Sequence, residues 1–259
     1  MNYWRLLACL PTLLFPQSLW AITPEPAPSA VVSMKEMSSE ALNSLGVRYA
    51  LGEGVEQNFE KARDCWQQAA QAGHAGAQFN LGQMYETGSG VERDTTAAAL
   101  WYAKAAAEGD RMAQFRLGLL MEAGNGVKTD HARAVSLFRQ AAEQGLADAQ
   151  NSLGRMYEMG RGIEQDVEIA KQWYRLAALQ GYVFAQSNLG FQIYAGRKSS
   201  GQLPEAYAWI RLAALKGNAI AKAHLMEVSG KMTPQQIEKG KQLAEQFKAM
   251  IASKMAGPN

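Results

Sequence analysis

The sequence contains few cysteines and, over most of its length, no proline. Its 259 residues include two cysteines, Cys9 and Cys65, and eight prolines, none of which falls between residues 29 and 203. A proline-free stretch of that length favours helices, because proline breaks a helix interior. Since Cys9 lies in an apolar leader, Cys65 has no disulfide partner and we expect it to be a core residue. Stability must therefore come from side-chain packing.

The charged residues are nearly balanced in sign, because the chain has 26 Lys and Arg and 24 Asp and Glu, a formal net charge of +2. Nucleic-acid-binding domains need a clustered basic face, so DNA and RNA are not expected partners. The three histidines, His74, His131 and His224, lie far apart, and the chain contains no G-x-S-x-G, H-E-x-x-H or S-x-x-K motif. We therefore expect no metal site, no cofactor and no enzymatic activity.

The first 21 residues have the composition of an export signal. Arg5 lies in a short n-region, residues 6–15 form an apolar stretch, and Ala21 supplies the small residue that cleavage requires. The pattern predicts a signal peptide over residues 1–21, a mature chain that begins near Ile22, and localisation in the periplasm.

A retained membrane anchor is the alternative interpretation of this leader. Its apolar run is too short to span a bilayer and is interrupted by Pro11 and Pro16. We therefore expect no integral membrane segment after cleavage. Residues 22–37 contain three further prolines, which predicts an extended, Pro-rich linker.

The dominant feature of the sequence is an internal repeat of 36 residues. A leucine recurs on this step, a glycine follows each of its first five copies, and a further glycine closes each unit. A fixed period of this length predicts tandem units that stack into a solenoid. The recurring leucines are Leu45, Leu81, Leu117, Leu153, Leu189 and Leu225.

Each unit has the pattern of two helices. In the second unit, Ala77, Leu81 and Tyr85 have i, i+4, i+8 spacing, which predicts a first helix, helix A. An apolar stripe over residues 98–106 predicts a second, helix B. One short polar residue precedes helix B in four units and is predicted to cap its amino terminus. These residues are Asn58, Asp94, Asp130 and Asp166.

The resulting fold prediction is an all-α, right-handed α/α solenoid. Five helix-hairpin repeats occupy residues 38–220, a pair of capping helices residues 221–253, and a tail residues 254–259. The recurring glycine inside helix A costs about 1 kcal/mol relative to alanine. We expect close approach to alanines of a neighbouring helix B to compensate.

The unit that runs from Ala77 to Met112 resembles a Sel1-like repeat, a relative of the tetratricopeptide repeat. It carries the L-G-x-x-Y, G-x-G-V and W-Y motifs, and the likeness extends over nearly all of residues 38–253. Met121 and Ile193 depart from the tyrosine of this pattern, as does the loop of the fifth repeat. The resemblance implies that the A helices line a concave groove that binds a protein.

In tetratricopeptide relatives, groove residues lie two before, two after and five after the leucine of the Leu-Gly pair. Carried onto this chain, these positions hold large apolar side chains, a line of glutamates and the single cation Arg155. The resemblance implies a partner with a basic or hydroxyl-rich edge around an apolar knob. The alternative is that some aromatic residues pack between neighbouring A helices. The predicted partner-binding residues are Phe79, Gln83, Glu86, Phe115, Leu119, Glu122, Arg155, Glu158, Phe191 and Tyr194.

The family resemblance also suggests specific functions. Small periplasmic members include immunity proteins that neutralise type VI secretion effectors, notably phospholipases, and a cognate secreted lipase toxin is the most specific partner we expect. The alternative is a scaffold or regulator for envelope polysaccharide, stress signalling or host interaction. Some cysteine-rich relatives have been proposed to be enzymes, but this chain lacks their disulfide framework.

Overall fold

The computed structural model describes residues 34–196 and 199–255, which form twelve α-helices without a strand. The all-α repeat solenoid predicted from the sequence is confirmed. The predicted signal peptide and the linker as far as residue 33 lie outside the described residues. Met34–Glu36 form one 3-10 turn before the first helix. Within the described ranges, none of the helices is both long enough and apolar enough to cross a bilayer.

The helices pack in consecutive pairs, each of which is one A helix followed by one B helix. The ten repeat helices are α1 Ser39–Leu51, α2 Phe59–Gln71, α3 Ala75–Thr87, α4 Thr95–Ala107, α5 Arg111–Ala123, α6 His131–Glu143, α7 Ala147–Met159, α8 Val167–Ala178, α9 Val183–Ala195 and α10 Leu203–Leu215. Two helices follow, α11 Ala219–Ser229 and α12 Pro234–Met255. Odd-numbered helices up to α9 are the A helices of the repeats.

The predicted caps of the B helices are confirmed. A backbone N–H of the first helical turn donates at 2.9 Å to the side-chain oxygen of each of Asn58, Asp94, Asp130 and Asp166. The B helix of the fifth repeat, α10, begins differently. A 3-10 turn, Ser200–Gln202, leads into it, and Pro204 occupies its first turn in place of a side-chain cap. The fifth repeat, whose loop departs from the sequence pattern, therefore also differs in how its B helix begins.

The predicted partners of the helix A glycines were only partly right. An ideal Cβ on Gly118 would lie 2.7 Å from the Phe138 ring, which is fully buried on the B helix of the same repeat. The nearest atoms belong to a large side chain, because the ring lies directly over the backbone of helix A. An alanine of helix B is also close in two repeats, where Ala170 O would lie 3.2 Å from a Cβ on Gly154 and Ala206 O 2.9 Å from one on Gly190. The equivalent pairs are Gly46–Trp66, Gly82–Tyr102, Gly154–Tyr174 and Gly190–Ile210.

Cys65 is a core residue, as predicted. Its side chain is fully buried on α2, and its Sγ lies 3.6 Å from Sδ of Met34 in the 3-10 turn. Burial, followed by the neighbouring charge of Asp64, raises the pKa of the thiol. The neutral thiol is the weakly reactive form, so the site favours packing over chemistry.

The end of the solenoid is closed by α12. The Trp209 ring on α10 stacks on Phe247 of α12, with 4.2 Å between ring centroids. A capping box opens this helix, because Gln236 N–H donates to Thr233 Oγ1 at 3.2 Å and Thr233 N–H donates to Gln236 Oε1 at 2.9 Å. The last B helix is thus covered by α9, α11 and α12 together.

Gly118→Ala should lower the free energy of unfolding by about 1–3 kcal/mol, because the added methyl group collides with a ring in a packed core. Urea unfolding followed by circular dichroism measures this change. Gly230→Ala is the matched control, since Gly230 has right-handed helical angles and 3.5 Å of clearance to the nearest atom. Equal stability of the two variants would contradict the packing role of the helix A glycine.

Candidate functional site

The A helices lie side by side and present a continuous surface, which we call the A-helix face. Asn80 Nδ2 on α3 donates to Asn43 Oδ1 on α1 at 3.0 Å, and the same asparagine pair recurs between α9 and α7. Farther along, Phe191 of α9 stacks on His224 of α11 with centroids 4.5 Å apart. Side chains of successive repeats therefore join into one surface.

The predicted aromatic residues lie partly in this surface and partly in the core. Phe79 and Phe115 are half-buried, and their rings contact Tyr102 at 5.6 Å and Phe138 at 5.9 Å between centroids. They pack on the B-helix ring of their own repeat and so contribute partly to the core. Tyr194 is 5% exposed. Its hydroxyl donates to Glu227 of α11 at 2.7 Å.

The predicted line of glutamates is not a free acidic surface. The Tyr102 hydroxyl donates to Glu86 at 2.6 Å, and the Arg116 guanidinium lies 3.9 Å from the same carboxylate. The Tyr174 hydroxyl donates to Glu158, which also accepts a hydrogen bond from Gln192 Nε2 at 2.6 Å. Each of these carboxylates is therefore held by groups of its own repeat and of the next one.

Glu122 has a different partner because its repeat lacks the tyrosine. Phe138 occupies the ring position and offers no hydroxyl, and Arg155 of the next A helix donates to both Glu122 oxygens at 2.8 and 2.9 Å. The Glu122 side chain is 12% exposed, so water screens this pair only partly. Arg155 is thus one half of an ion pair, and Arg116 is a second cation that the sequence analysis missed.

The tyrosine hydroxyls remain donors over a wide pH range. Burial, then the hydrogen bond to Glu86, raises the pKa of Tyr102 well above its ordinary value, and Tyr174 is raised in the same way beside Glu158. Burial and the charge of Asp148 raise the pKa of Tyr182 to about 12. The hydrogen bonds that fix the glutamates therefore persist throughout physiological pH.

Sequence reasoning also missed two positions of the A-helix face. The first lies five residues before the leucine of each repeat and carries Met112, Phe184 and Ile220. These side chains are 36%, 59% and 63% exposed. The second lies six residues after the same leucine and carries Leu51 and Met159. These side chains are 47% and 49% exposed. Helical spacing places all these positions on one stripe, and this spacing could have revealed them.

The remaining predicted residues lie on the same stripe. Gln83, Leu119 and Phe191 occupy equivalent positions in repeats two, three and five, and each is partly exposed. Among residues 34–196 and 199–255, no three His, Cys, Asp or Glu side chains are grouped closely enough to hold a metal ion. What this face offers is a set of apolar side chains and paired charges at the surface of a rigid repeat array.

Comparisons with known proteins agree with this architecture. The sequence profile of the Sel1 repeat family matches five consecutive segments of the chain, while the curated proteins yielded no match. The matched segments are residues 39–74, 75–110, 111–146, 147–182 and 183–218.

Solved structures of repeat proteins are similar to the chain. A protective antigen of uropathogenic Escherichia coli strains that displays an SLR fold is 32% identical, with a TM-score of 0.73 over 85% of this chain. The chain spans about half of that protein, 47% of its length. A Sel1 repeat protein from Oxalobacter formigenes is 32% identical, with a TM-score of 0.68 over 85% of this chain and 91% of that one.

A third structure, an immunity protein from Pseudomonas aeruginosa, is more distant. It is 22% identical over 90% of this chain and 89% of its own length, with a TM-score of 0.45. A likeness of that degree carries no argument about function.

An alkaline titration tests the hydrogen bonds of Tyr102 and Tyr174. Phenolate absorbance should show these rings ionising above the ordinary tyrosine pKa of about 10. Because their folded-state pKa is raised, their contribution to stability is present below pH ~10 and is lost as the pH rises further. Tyr102→Phe and Tyr174→Phe should each remove one late-ionising ring. Ionisation of every tyrosine in one step near pH ~10, in a chain that is still folded, would contradict this arrangement.

Proposed function

The chain belongs to the Sel1 repeat family, whose members mediate protein–protein interactions, and we propose that it binds a protein partner along its A-helix face. The fold of this family is typically a non-catalytic interaction scaffold. A stacked repeat array suits this role, because it offers an extended surface that can be varied without changes to the core.

One observation carries the proposal, namely that the core positions repeat while the face positions vary. The leucine and glycine of helix A recur and are largely buried. In contrast, the position five residues before this leucine, on the A-helix face, holds a different residue in each repeat. It is Met112 in repeat three, Asp148 in repeat four and Phe184 in repeat five. Large apolar side chains that remain exposed where the fold does not require them are typical of recognition surfaces.

The paired charges of the face support binding in a second way. The Glu122–Arg155 ion pair and the Glu86–Tyr102 hydrogen bond hold these polar groups in fixed positions before a partner arrives. A partner therefore meets a pre-organised surface and pays less side-chain entropy on association. Because most of the carboxylates on this face already have a hydrogen-bond or ion-pair partner, shape complementarity and apolar contacts would contribute most of the binding affinity.

The finer proposal is that the chain is a periplasmic immunity protein that neutralises a phospholipase-type effector of type VI secretion. The predicted signal peptide over residues 1–21 and the family resemblance support it. A toxin seated on the A-helix face would have its active-site cleft covered by the solenoid. Neutralisation then needs no chemistry from the chain, only a stable complex.

A role in host interaction is the alternative. The relative from uropathogenic Escherichia coli is a protective antigen, which favours this second candidate. Binding of several host or envelope proteins, instead of one toxin, would distinguish it.

Co-expression with an exported lipase-type effector encoded beside this chain's gene tests the finer proposal. The chain should restore growth and purify as a stoichiometric complex with the effector. Met159→Arg places a charge on the A-helix face and should weaken the complex at least about tenfold. Leu100→Arg is the matched control, since Leu100 lies on the B helix α4 and is 64% exposed.

Absence of both protection and a complex would eliminate the immunity role. Equal weakening by Met159→Arg and Leu100→Arg, in variants that remain folded, would instead show that the A-helix face is not the surface that binds.

A further inference from the structure

Helix α11 continues the 36-residue register as a sixth A helix, but the described part of the chain places no helix B against it. It packs on α10 and α9, as an A helix does, whereas α12 packs on α10 and makes almost no contact with α11. In the five complete repeats, the contact with helix B of the same repeat is the largest that each A helix makes. Helix α11 therefore lacks its main neighbour.

Three positions of helix A lie against helix B in a complete repeat. They are the position of the recurring glycine, the position three residues before it and the position four residues after it. In the second repeat, Tyr102 contacts the residues at all three, namely Phe79, Gly82 and Glu86. These positions therefore define the side of an A helix on which helix B packs.

The same side of α11 is exposed. Its residues at the three positions are Ala223, Met226 and Gly230, all of which are exposed, and Met226 is 74% exposed. Ala219 is exposed on the same side, one turn before Ala223. We call these four residues the open strip. At the three positions on α9, by contrast, the residues are buried.

Helix α11 is held in place although its helix B is missing. Ala221 and Val228, on the side opposite the open strip, are fully buried. The Tyr194 hydroxyl of α9 donates to Glu227 at 2.7 Å, and Phe191 of α9 stacks on the His224 ring. The open strip is therefore a fixed surface, so a partner would not lose binding energy in ordering it.

Met226 reverses the shape that this side of helix A has in a complete repeat. There the glycine leaves a recess, and a large helix B side chain fills it. On α11 the Met226 side chain projects instead, and the other residues of the open strip are Ala or Gly. Close packing sets small residues opposite large ones. The open strip therefore fits a helix that carries Ala, Gly or Ser opposite Met226.

The size of the open strip indicates where such a helix comes from. A stable interface takes about 20–30 residues from each partner, so a second copy that docked through four residues of α11 alone would bind too weakly. The open strip is continuous with the A-helix face, because the exposed residues Ile220 and Glu227 lie between the two. A protein bound along the A-helix face can therefore extend one of its helices onto α11.

The charges beside the open strip favour a protein over a lipid surface. Lys222 and Glu227 are exposed on opposite borders of the strip. An anionic membrane is attracted by clustered Lys and Arg. One charge of each sign gives no such attraction.

We propose that α11 binds one helix of the partner protein in the position of a helix B, with a small residue of that helix opposite Met226. The bound helix completes a sixth repeat. This inference rests on the proposed function, since the same partner occupies the A-helix face and supplies the contact area that the open strip lacks. Helix α12 leaves the position free because it packs on α10.

Two peptides test the proposal on the full-length exported chain. The first has the sequence of residues 94–108, the helix B of repeat two, whose many alanines favour a helix. The second is the same peptide with Tyr102→Ala, which removes the ring that faces helix A. Each is titrated to high concentration, and shifts of the backbone amide NMR signals locate it and give its Kd. The Tyr102→Ala peptide should shift the signals of α11 and bind there at least about fivefold more tightly, because the ring collides with Met226.

Met226→Gly should reverse this preference. It restores the recess of a complete repeat, so the peptide that keeps Tyr102 should then bind at least about fivefold more tightly than the other. Met250→Gly is the matched control, since Met250 lies on α12 and is 47% exposed, and it should leave the preference of the unmodified chain unchanged.

A second substitution keeps the test valid if Met226→Gly unfolds α11. Met226→Glu introduces a good helix former, so the helix should persist. The added charge should weaken binding of the Tyr102→Ala peptide at least about tenfold, because a carboxylate is costly to bury in an apolar contact. Thermal unfolding followed by circular dichroism confirms that each variant is folded.

Other outcomes would overturn the proposal. These are the absence of peptide-induced shifts in α11, and the same peptide preference before and after Met226→Gly in a folded chain. A molecular mass that doubles with concentration, and returns to that of a monomer in Met226→Glu, would make a second copy the occupant. Binding to phosphatidylglycerol vesicles that Met226→Glu abolishes would make a membrane the occupant. Failure of the toxin complex alone would reject the immunity role and leave the peptide result intact.

Discussion

Each repeat depends on one close contact, that between the glycine of helix A and a large side chain of helix B. The ring of Phe138 occupies the space that a Cβ on Gly118 would need. A ring does the same in three of the other repeats, and the Ile210 side chain does so in the fifth. The glycine is unfavourable in an isolated helix by about 1 kcal/mol. Burial of a whole ring against the helix backbone offsets that cost, because fully burying a Phe-sized side chain contributes about 1.5–3 kcal/mol.

This contact also sets the charge pattern of the A-helix face. The rings of Tyr102 and Tyr174 pass over the glycine and reach the glutamate that follows on helix A. The phenolic hydroxyl therefore places each carboxylate. In the third repeat the ring is Phe138, so Glu122 instead pairs with Arg155 of the next repeat. One substitution in the core thus changes how two neighbouring A helices are joined at the surface.

The sequence period predicts some of these features and not others. It predicts the number of repeats, the order of their helices and the caps at Asn58 and Asp94, because these depend on positions that recur every 36 residues. It does not predict which residues face each other across helices, and the glycine was therefore assigned to alanines. The prediction of a free line of glutamates was wrong for a related reason. Glu86–Arg116 and Glu122–Arg155 are separated by 30 and 33 residues, so these pairs fall outside the repeat step.

The end of the solenoid shows that the glycine depends on the large side chain that faces it and not on the period itself. Met226 stands on α11 where each repeat has the helix A glycine, and it is 74% exposed. No ring of a following B helix lies over α11 among the described residues, so a long side chain meets no obstacle there. Helix α12 packs instead on α10, and an ideal Cβ on its Gly240 would lie 2.6 Å from the Tyr207 ring. The glycine therefore reappears, outside the 36-residue register, at the place where the contact does. Because α12 packs on α10, the core is sealed while α11 keeps its outer side at the surface.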